Sequence, residues 1–479
     1  MIQFGTDGWR AVIAEDFTFE NVRLVAQAVA DTLHVQHPSL AEPQIVIGFD
    51  TRFLSDRFAI EVARVMAANG IIAWLSRMDV PTPAVSYNIV DKHAQAGVVI
   101  TASHNPPRYN GFKLKAAYGG SATAEQSTLV EQAISELQAG KRKVQTMDYQ
   151  EALQRERIRR FDPTWVYYKH LSELVDLDAI NERELNVVAD SMYGAGRGAI
   201  ASILARTRTR VHEIRGNMNP GFGGIYPEPI MRHLGDLVSA IARHNAEVGL
   251  ATDGDADRIG AMDARGNFVD PHVIFSLVLR HLLEQKHQRG DVVKTISTTS
   301  MINRMAEEHG LTVHETPVGF NHIADLMVKG DVLMGGEESG GISVRGHIPE
   351  GDGVLMGLML LEVMAHKRAP LHELIADLRQ AYGPALYARH DEHLAKPVAK
   401  KAVIQRLADS APEQLNGERV VKVNTMDGIK FSMSDHSWLL IRPSGTEPVL
   451  RVYAEANSQA DVDSLLKQGI LMGKEAITD

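Results

Sequence analysis

The chain has 479 residues, 44% hydrophobic and 23% charged, with no cysteine and a formal net charge of −10. That length allows about three domains with cores of their own, and the missing cysteines exclude disulfides and thiolate metal sites, as expected of a cytoplasmic protein. The acidic balance disfavours a nucleic-acid backbone as partner. No apolar stretch approaches the ~20 residues that span a bilayer, and the N-terminus lacks the basic and apolar regions of a signal peptide.

In chain order, "QIVIGFDTRFLSDRFAIEVARVMAANGIIAWL" opens the first of three similar units. Each has a short β-branched run, a polar loop, a helix (here with apolar spacing at Ile60, Val62, Ala63 and Met66) and a second strand. In "VVITASHNPPRYNGFKLK" a β-branched run then ends in Ser103-His104-Asn105-Pro106-Pro107. The prolines stiffen the loop. Ser103 is a candidate nucleophile if a base or metal assists it; a turn and a helix N-cap are equally open readings. His104 by itself reads as a hydrogen-bonded structural group. Lys113 follows the turn-like "YNGF" and is either an amine base facing the site or a solvated surface lysine.

A polar stretch near residues 140–160 marks a joint. The second unit, "LNVVADSMYGAGRGAIASILARTRTRVHEI", places Gly194, Gly196 and Ala199 in the G-x-G-x-x-A pattern, with Glu213 ending the next strand. That is a weak dinucleotide-binding signal. In "LATDGDADRIGAMD" Asp253, Asp255 and Asp257 alternate at a strand end. In an extended segment they face the same way, and their repulsion calls for a cation. All-oxygen ligands favour a hard ion such as Mg²⁺. An EF-hand loop is excluded, because its sixth position is Arg258 and its twelfth is Ala264. Arg258 adds a cation suited to a phosphate sharing the site.

A second joint falls near 255–258, and "DVVKTISTTSMINRMAEEHGLTVHET" forms the third unit. Repetition of such units predicts layered α/β domains with mostly parallel strands. "LMGGEESGGISVRGHIPEGDG" presents Glu337, Glu338 and Ser339 after an apolar run. Carboxylate and hydroxyl together suit a polyol; a metal site and a hairpin turn are the other readings. Beyond a joint near 370–385, a helix, an alternating antiparallel stretch and a terminal helix predict a smaller α+β domain. Its "WLLIRPSGTEPVLRVY" carries Arg442, Ser444, Gly445 and Thr446, groups that a phosphate oxygen cluster asks for, though an ordinary β-turn also explains them.

Taken together and in order, "FGTDGWRA", "TASHNP", "DGDADR", "GEESG" and "RPSGTEP" resemble the α-D-phosphohexomutases, a family of phosphoglucomutases, phosphomannomutases and phosphoglucosamine mutases. The resemblance runs along essentially the whole chain. It implies an α/β fold of four domains in a heart-shaped arrangement around one cleft, three of them related mixed-sheet domains. Residues 1–145 would carry the phosphoserine loop and 155–256 would end in the metal loop. Residues 257–370 would carry the sugar-binding loop, and 380–479 would be the α+β domain with the phosphate-binding loop. Ser103 is then implied to be the phosphorylated serine, with His104 beside it as a further catalytic residue, Lys113 as general acid or base and Arg258 against the phosphate. Asp253, Asp255, Asp257 and a phosphoserine oxygen on Ser103 would hold Mg²⁺. Glu337 and Ser339 would read sugar hydroxyls. Arg442, Ser444, Gly445 and Thr446 would hold the phosphate that is not reacting, and Arg10 would face the cleft.

The implied reaction interconverts glucose 1-phosphate and glucose 6-phosphate through a hexose 1,6-bisphosphate, with glucose 1,6-bisphosphate as activator. Glucose is preferred on Glu338 of "GEES" alone. A phosphomannomutase, a glucose 1,6-bisphosphate synthase and a Mg²⁺-dependent sugar phosphatase are the alternatives. Partners are small sugar phosphates, with no nucleic acid or membrane, and the protein is expected as a monomer or homodimer. Three positions depart from common family patterns: Gly341 in place of histidine, Asn321 (followed by His322) in place of lysine, and Gly351 in place of arginine.

Overall fold

The computed structural model describes Ile2, residues 8–444 and residues 448–478. The chain divides into two compact units, Met1–His281 with Gly319–His372, and Leu282–Val318 with Glu373–Asp479.

In the first unit, strands β1 (Trp9–Val12), β2 (Gln44–Phe49), β3 (Ile72–Ser76), β4 (Ala96–Ile100), β5 (Tyr109–Ala116) and β6 (Ile158–Phe161) form a sheet in the order β1-β5-β4-β2-β3-β6. β2 runs parallel to β3 and β4, whereas β5 is antiparallel to both β4 and β1, so the sheet is mixed. The helix Phe19–Gln36 starts where the Thr18 hydroxyl accepts from Asn21 N–H. With the helix Ser55–Ala68 it buries Val22, Val25, Phe58, Val62 and Met66 among Ile45, Ile47, Val98 and Ile100. Each such side chain contributes about 1.5–3 kcal/mol of burial. "YNGF" is not the expected turn. It lies inside β5, where Asn110 satisfies its polar ends by donating to the distant Ser55 Oγ at 2.9 Å and accepting from Gly111 N–H at 2.8 Å.

The second sheet holds β7 (Asn186–Asp190), β8 (Arg210–Ile214), β9 (Val248–Thr252), β10 (Ile259–Asp263) and β11 (Phe268–Val269), in the order β11-β10-β9-β7-β8. β7 is parallel to β8 and β9, and β10 folds back antiparallel on β9. Of the next four strands, β12 (Asp291–Thr295) and β13 (Val313–Thr316) pair in parallel in the second unit. β14 (Val332–Gly336) and β15 (Ile342–Val344) pair antiparallel in the first. The helix Gly353–Lys367 is buried from Gly353 to Ala365, and its N-terminus is capped by Asp352 accepting from Leu355 N–H at 2.8 Å.

The C-terminal sheet is antiparallel: β16 (Leu386–His393), β17 (Gln414–Leu415), β18 (Glu418–Asn424), β19 (Ile429–Met433), β20 (Trp438–Pro443) and β21 (Val449–Ala456), in the order β16-β21-β20-β19-β18-β17. Its inner face packs Ile429, Phe431, Leu439, Ile441 and Val452 with Val462 and Leu465 of the helix Gln459–Thr478. Among the described residues, no helix is long and apolar enough to cross a membrane.

Candidate active site

Ser103 stands at the end of β4, buried, with φ 52°. Its N–H donates to Thr101 Oγ1 at 2.9 Å, and its Oγ donates to Asp253 Oδ2 at 2.8 Å. Asp253 opens the loop between β9 and β10, and ligand oxygens of Asp253, Asp255 and Asp257 all lie within 4.8 Å of one another. They converge as expected, but not by alternation along an extended strand. The loop turns through Ala256, which has φ 57°, and its neighbours pin it. Thr82 donates twice, from its N–H to Asp255 O at 2.9 Å and from Oγ1 to Asp255 Oδ2 at 2.6 Å. Gly353 N–H reaches Ala256 O at 3.0 Å, and Arg258 N–H reaches Asp253 Oδ1 at 3.2 Å.

Burial pushes the Asp253 carboxyl well above the usual range, and the neighbouring Asp257 and Asp255 push the same way. Asp257 Oδ1 is buried and makes no hydrogen bond among the described residues. Crowded carboxylates with an unsatisfied oxygen fit a hard divalent cation. Lys113 is not a surface lysine. It is 1% exposed on β5, with Nζ 2.7 Å from Asp257 Oδ2 and 2.9 Å from Asp255 Oδ2. At Arg258 burial works against the charge, but Asp257 and Asp253 outweigh it and hold the guanidinium protonated. His104 Nδ1 lies 3.5 Å from Ser103 Oγ. Burial, then Arg258 and Arg10, lower this imidazole well below its usual range, which leaves it neutral near pH 7. Arg10, on β1, donates from Nη1 to Asn105 Oδ1 at 2.8 Å and so is tied to the Ser103 loop.

Glu337 follows β14, and its Oε1 accepts from Gly319 N–H at 2.9 Å. Burial, reinforced by Glu338, raises its carboxyl to about 7. Ser339 Oγ is buried with no hydrogen bond among the described residues. Two departures from the family pattern differ in what they allow. A Cβ on Gly351 would lie 2.7 Å from Asp257 O and 2.8 Å from Gly341 Cα, so only glycine fits against the aspartate loop. A Cβ on Gly341 would meet nothing nearer than Phe320 at 3.5 Å. At the third, Asn321 Oδ1 is buried without a hydrogen bond among the described residues.

In the second unit, Arg442 on β20 donates from Nε to Asp427 Oδ2 at 2.8 Å, and Lys400 pairs with the other Asp427 oxygen. Burial would raise the Asp427 carboxyl, but these cations hold it below the usual range. Ser444 is buried and its N–H donates to Val449 O at 2.9 Å. Gly445 and Thr446 lie outside the described residues.

The glycine pattern after β7 serves the aspartate loop instead of a nucleotide. Ala195 N–H donates to Gly254 O at 3.0 Å, while Glu213 Oε1, on β8, is turned onto the loop after β7, accepting from Ser191 Oγ at 2.8 Å and Gly198 N–H at 2.6 Å. In another ligand-type cluster, His281, Glu362 and His366, both histidines are paired with carboxylates. His281 Nε2 meets Glu362 Oε1 at 3.1 Å, and His366 Nε2 meets Asp176 Oδ2 at 3.0 Å. Sequence reading passed over Asp50 and Arg52, both buried beside Ser103. The signal was two charged residues directly after the apolar run of β2.

Residues 1–141, 166–266, 270–382 and 394–469 match the four domains described as "Phosphoglucomutase/phosphomannomutase" alpha/beta/alpha domains I, II and III and C-terminal domain. The chain belongs to the phosphoglucomutase/phosphomannomutase family. Phosphohexomutases of this family are intramolecular phosphotransferases of the isomerase class, and their four-domain architecture is that of this chain. Among relatives, a "Phosphoglucomutase/phosphomannomutase" of Thermococcus kodakarensis is 29% identical over 99% of both chains. A "Probable phosphoglucosamine mutase" of Methanosphaera stadtmanae is 31% identical over 97% of this chain and 96% of its own. Among solved structures, a "putative phosphomannomutase" from Thermus thermophilus superposes with a TM-score of 0.85 at 32% identity, over 99% of each chain.

Proposed function

We propose that this phosphohexomutase interconverts glucose 1-phosphate and glucose 6-phosphate through phospho-Ser103 and an enzyme-bound hexose 1,6-bisphosphate, with glucose 1,6-bisphosphate as activator. The observation that carries this reading is Ser103 Oγ, 2.8 Å from Asp253 within a buried three-carboxylate cluster that also binds Lys113. Asp253, Asp255, Asp257 and a phosphoserine oxygen would hold Mg²⁺, which when bound neutralises charge on the transferring phosphoryl group. Phosphoryl transfer depends on positioning and electrostatics more than on further covalent chemistry. Arg258 supplies a fixed positive charge toward that group. The Ser103 Oγ–P bond breaks as the sugar O6–P bond forms, and Lys113, acting from its neutral amine form, takes the proton leaving O6. In the return step the bisphosphate, turned around, gives its other phosphate to Ser103.

Neutral His104 orients the serine loop in this scheme, and Arg10 faces the substrate. Glu337 and Ser339 read sugar hydroxyls, and Arg442, Ser444, Gly445 and Thr446 hold the phosphate that is not reacting. We assign the phosphoserine, metal, sugar and phosphate loops to domains at 1–145, 155–256, 257–370 and 380–479, in a cytoplasmic monomer or homodimer. Glucose rests on Glu338, since the relatives' names span glucose, mannose and glucosamine. Parallel turnover of glucose, mannose and glucosamine 1-phosphates, with Mg²⁺ and a trace of glucose 1,6-bisphosphate, tests it. Fastest conversion of glucose 1-phosphate supports the reading, and faster conversion of either other sugar overturns the choice of substrate.

A further inference from the structure

We infer that Arg52 is the positioning residue that sets Ser103 for phosphoryl transfer, an inference that rests on the phosphoserine reading above. A guanidinium has five N–H donors, and here each has a buried or half-buried acceptor. Nε donates to Asp50 Oδ2 at 3.1 Å. Nη1 donates to Pro106 O at 2.8 Å and Tyr109 O at 3.0 Å. Nη2 donates to Ser103 O at 2.5 Å and Asn105 O at 2.7 Å. Four carbonyls of one short loop thus converge on a single side chain that is 3% exposed. The loop contains Pro106 and Pro107, which have no N–H to offer, so donors within it are few: Tyr109 N–H reaches Pro106 O at 3.0 Å, and Arg52 supplies the rest of this set.

The network also fixes the other backbone group of the serine. Asp50 Oδ2 accepts from Thr101 Oγ1 at 2.6 Å, and Thr101 Oγ1 in turn accepts from Ser103 N–H at 2.9 Å. Both the N–H and the C=O of Ser103 are therefore held from residues 50–52 and 101. That restraint matches the left-handed φ of 52°, which a serine keeps only where its surroundings over-determine it. The same carbonyl faces the aspartate loop, since a Cβ on Gly254 would collide with Ser103 O. Thr51 Oγ1 adds a bond to Tyr193 O at 2.7 Å, and the Phe222 ring lies 4.9 Å from the guanidinium. If the Ser103 carbonyl shifts, Ser103 Oγ moves relative to Asp253. A lysine has one ammonium with three donors and cannot reproduce a five-point fork.

The test uses the full-length protein and the variants Arg52→Lys and Thr101→Val. Rapid-quench kinetics follow transfer of ³²P from labelled glucose 1,6-bisphosphate to Ser103, beside kcat and KM for glucose 1-phosphate and the melting temperature. The expected result for folded Arg52→Lys is a loss of about 10²-fold in both the transfer rate and kcat, with KM unchanged. Thr101→Val is expected to show a smaller loss of the same kind. Wild-type transfer rates in folded Arg52→Lys overturn the inference. If Arg52→Lys does not fold, a wild-type rate in Thr101→Val overturns it instead. Label on wild-type Ser103 with unchanged variants refutes this inference alone. No label on wild-type Ser103 refutes the phosphoserine reading, and this inference with it.

Discussion

The Ser103 loop and the Arg442 loop are both strand-end loops with a hydroxyl and an arginine, yet they satisfy their polar groups in opposite ways. Around Ser103 the backbone is saturated, through Arg52 and Thr101, while side-chain oxygens such as Asp257 Oδ1 are left without hydrogen bonds among the described residues. Around Arg442 the side chain itself is engaged, by Asp427, which also takes Lys400. The first arrangement fixes position and reserves ligand capacity. The second balances charge on a partly exposed arginine. Disturbing the first should therefore cost turnover, and disturbing the second should cost binding.

The sharpest way to break that contrast is Ser103→Ala, which should lower kcat by on the order of 10⁴-fold or more and leave sugar-phosphate binding intact. Steady-state kinetics with equilibrium binding checks it, and retained turnover would remove the serine from the chemistry. Gly254→Ala probes position without touching a reactive group. Its Cβ would collide with Ser103 O, so kcat should fall about 10²-fold with little change in KM. Arg442→Ala should act the other way, weakening sugar-phosphate binding by roughly 1.5–3 kcal/mol. A pure kcat defect in that variant would erase the distinction between the loops.

The smallest effect concerns stability. The Glu337 carboxyl is raised from 4.5 to about 7, chiefly by burial. Between these values the native state binds more protons than the unfolded chain. Its contribution is therefore complete below about pH 4.5 and lost as pH rises through about 7. Melting curves at pH 5 and pH 8 should accordingly differ less in Glu337→Gln than in the wild type, and parallel changes would contradict the assignment.

Much of the family and fold was legible because short motifs and apolar periodicity are local properties. The aspartate triplet shows where local reading stops. Strand alternation predicts its convergence, whereas a loop through Ala256, pinned by Thr82 and Gly353, produces it. Asn110-Gly111 reads as a turn because those residues usually make turns, but Ser55, some 55 positions away, satisfies Asn110 inside a strand. Lys113 could not be placed, since its exposure depends on carboxylates about 140 residues later. The role of Arg52 is hidden for the same reason: its acceptors are backbone carbonyls of residues 103–109, which no side-chain pattern reveals.

The most direct test of the central claim follows ³²P from labelled glucose 1,6-bisphosphate onto the wild-type enzyme with Mg²⁺, then back to sugar when unlabelled glucose 1-phosphate is added. The account predicts label on the peptide containing Ser103, followed by its return to hexose phosphate with little free phosphate. Label on another residue, or release of most of it as inorganic phosphate, would contradict the mutase mechanism.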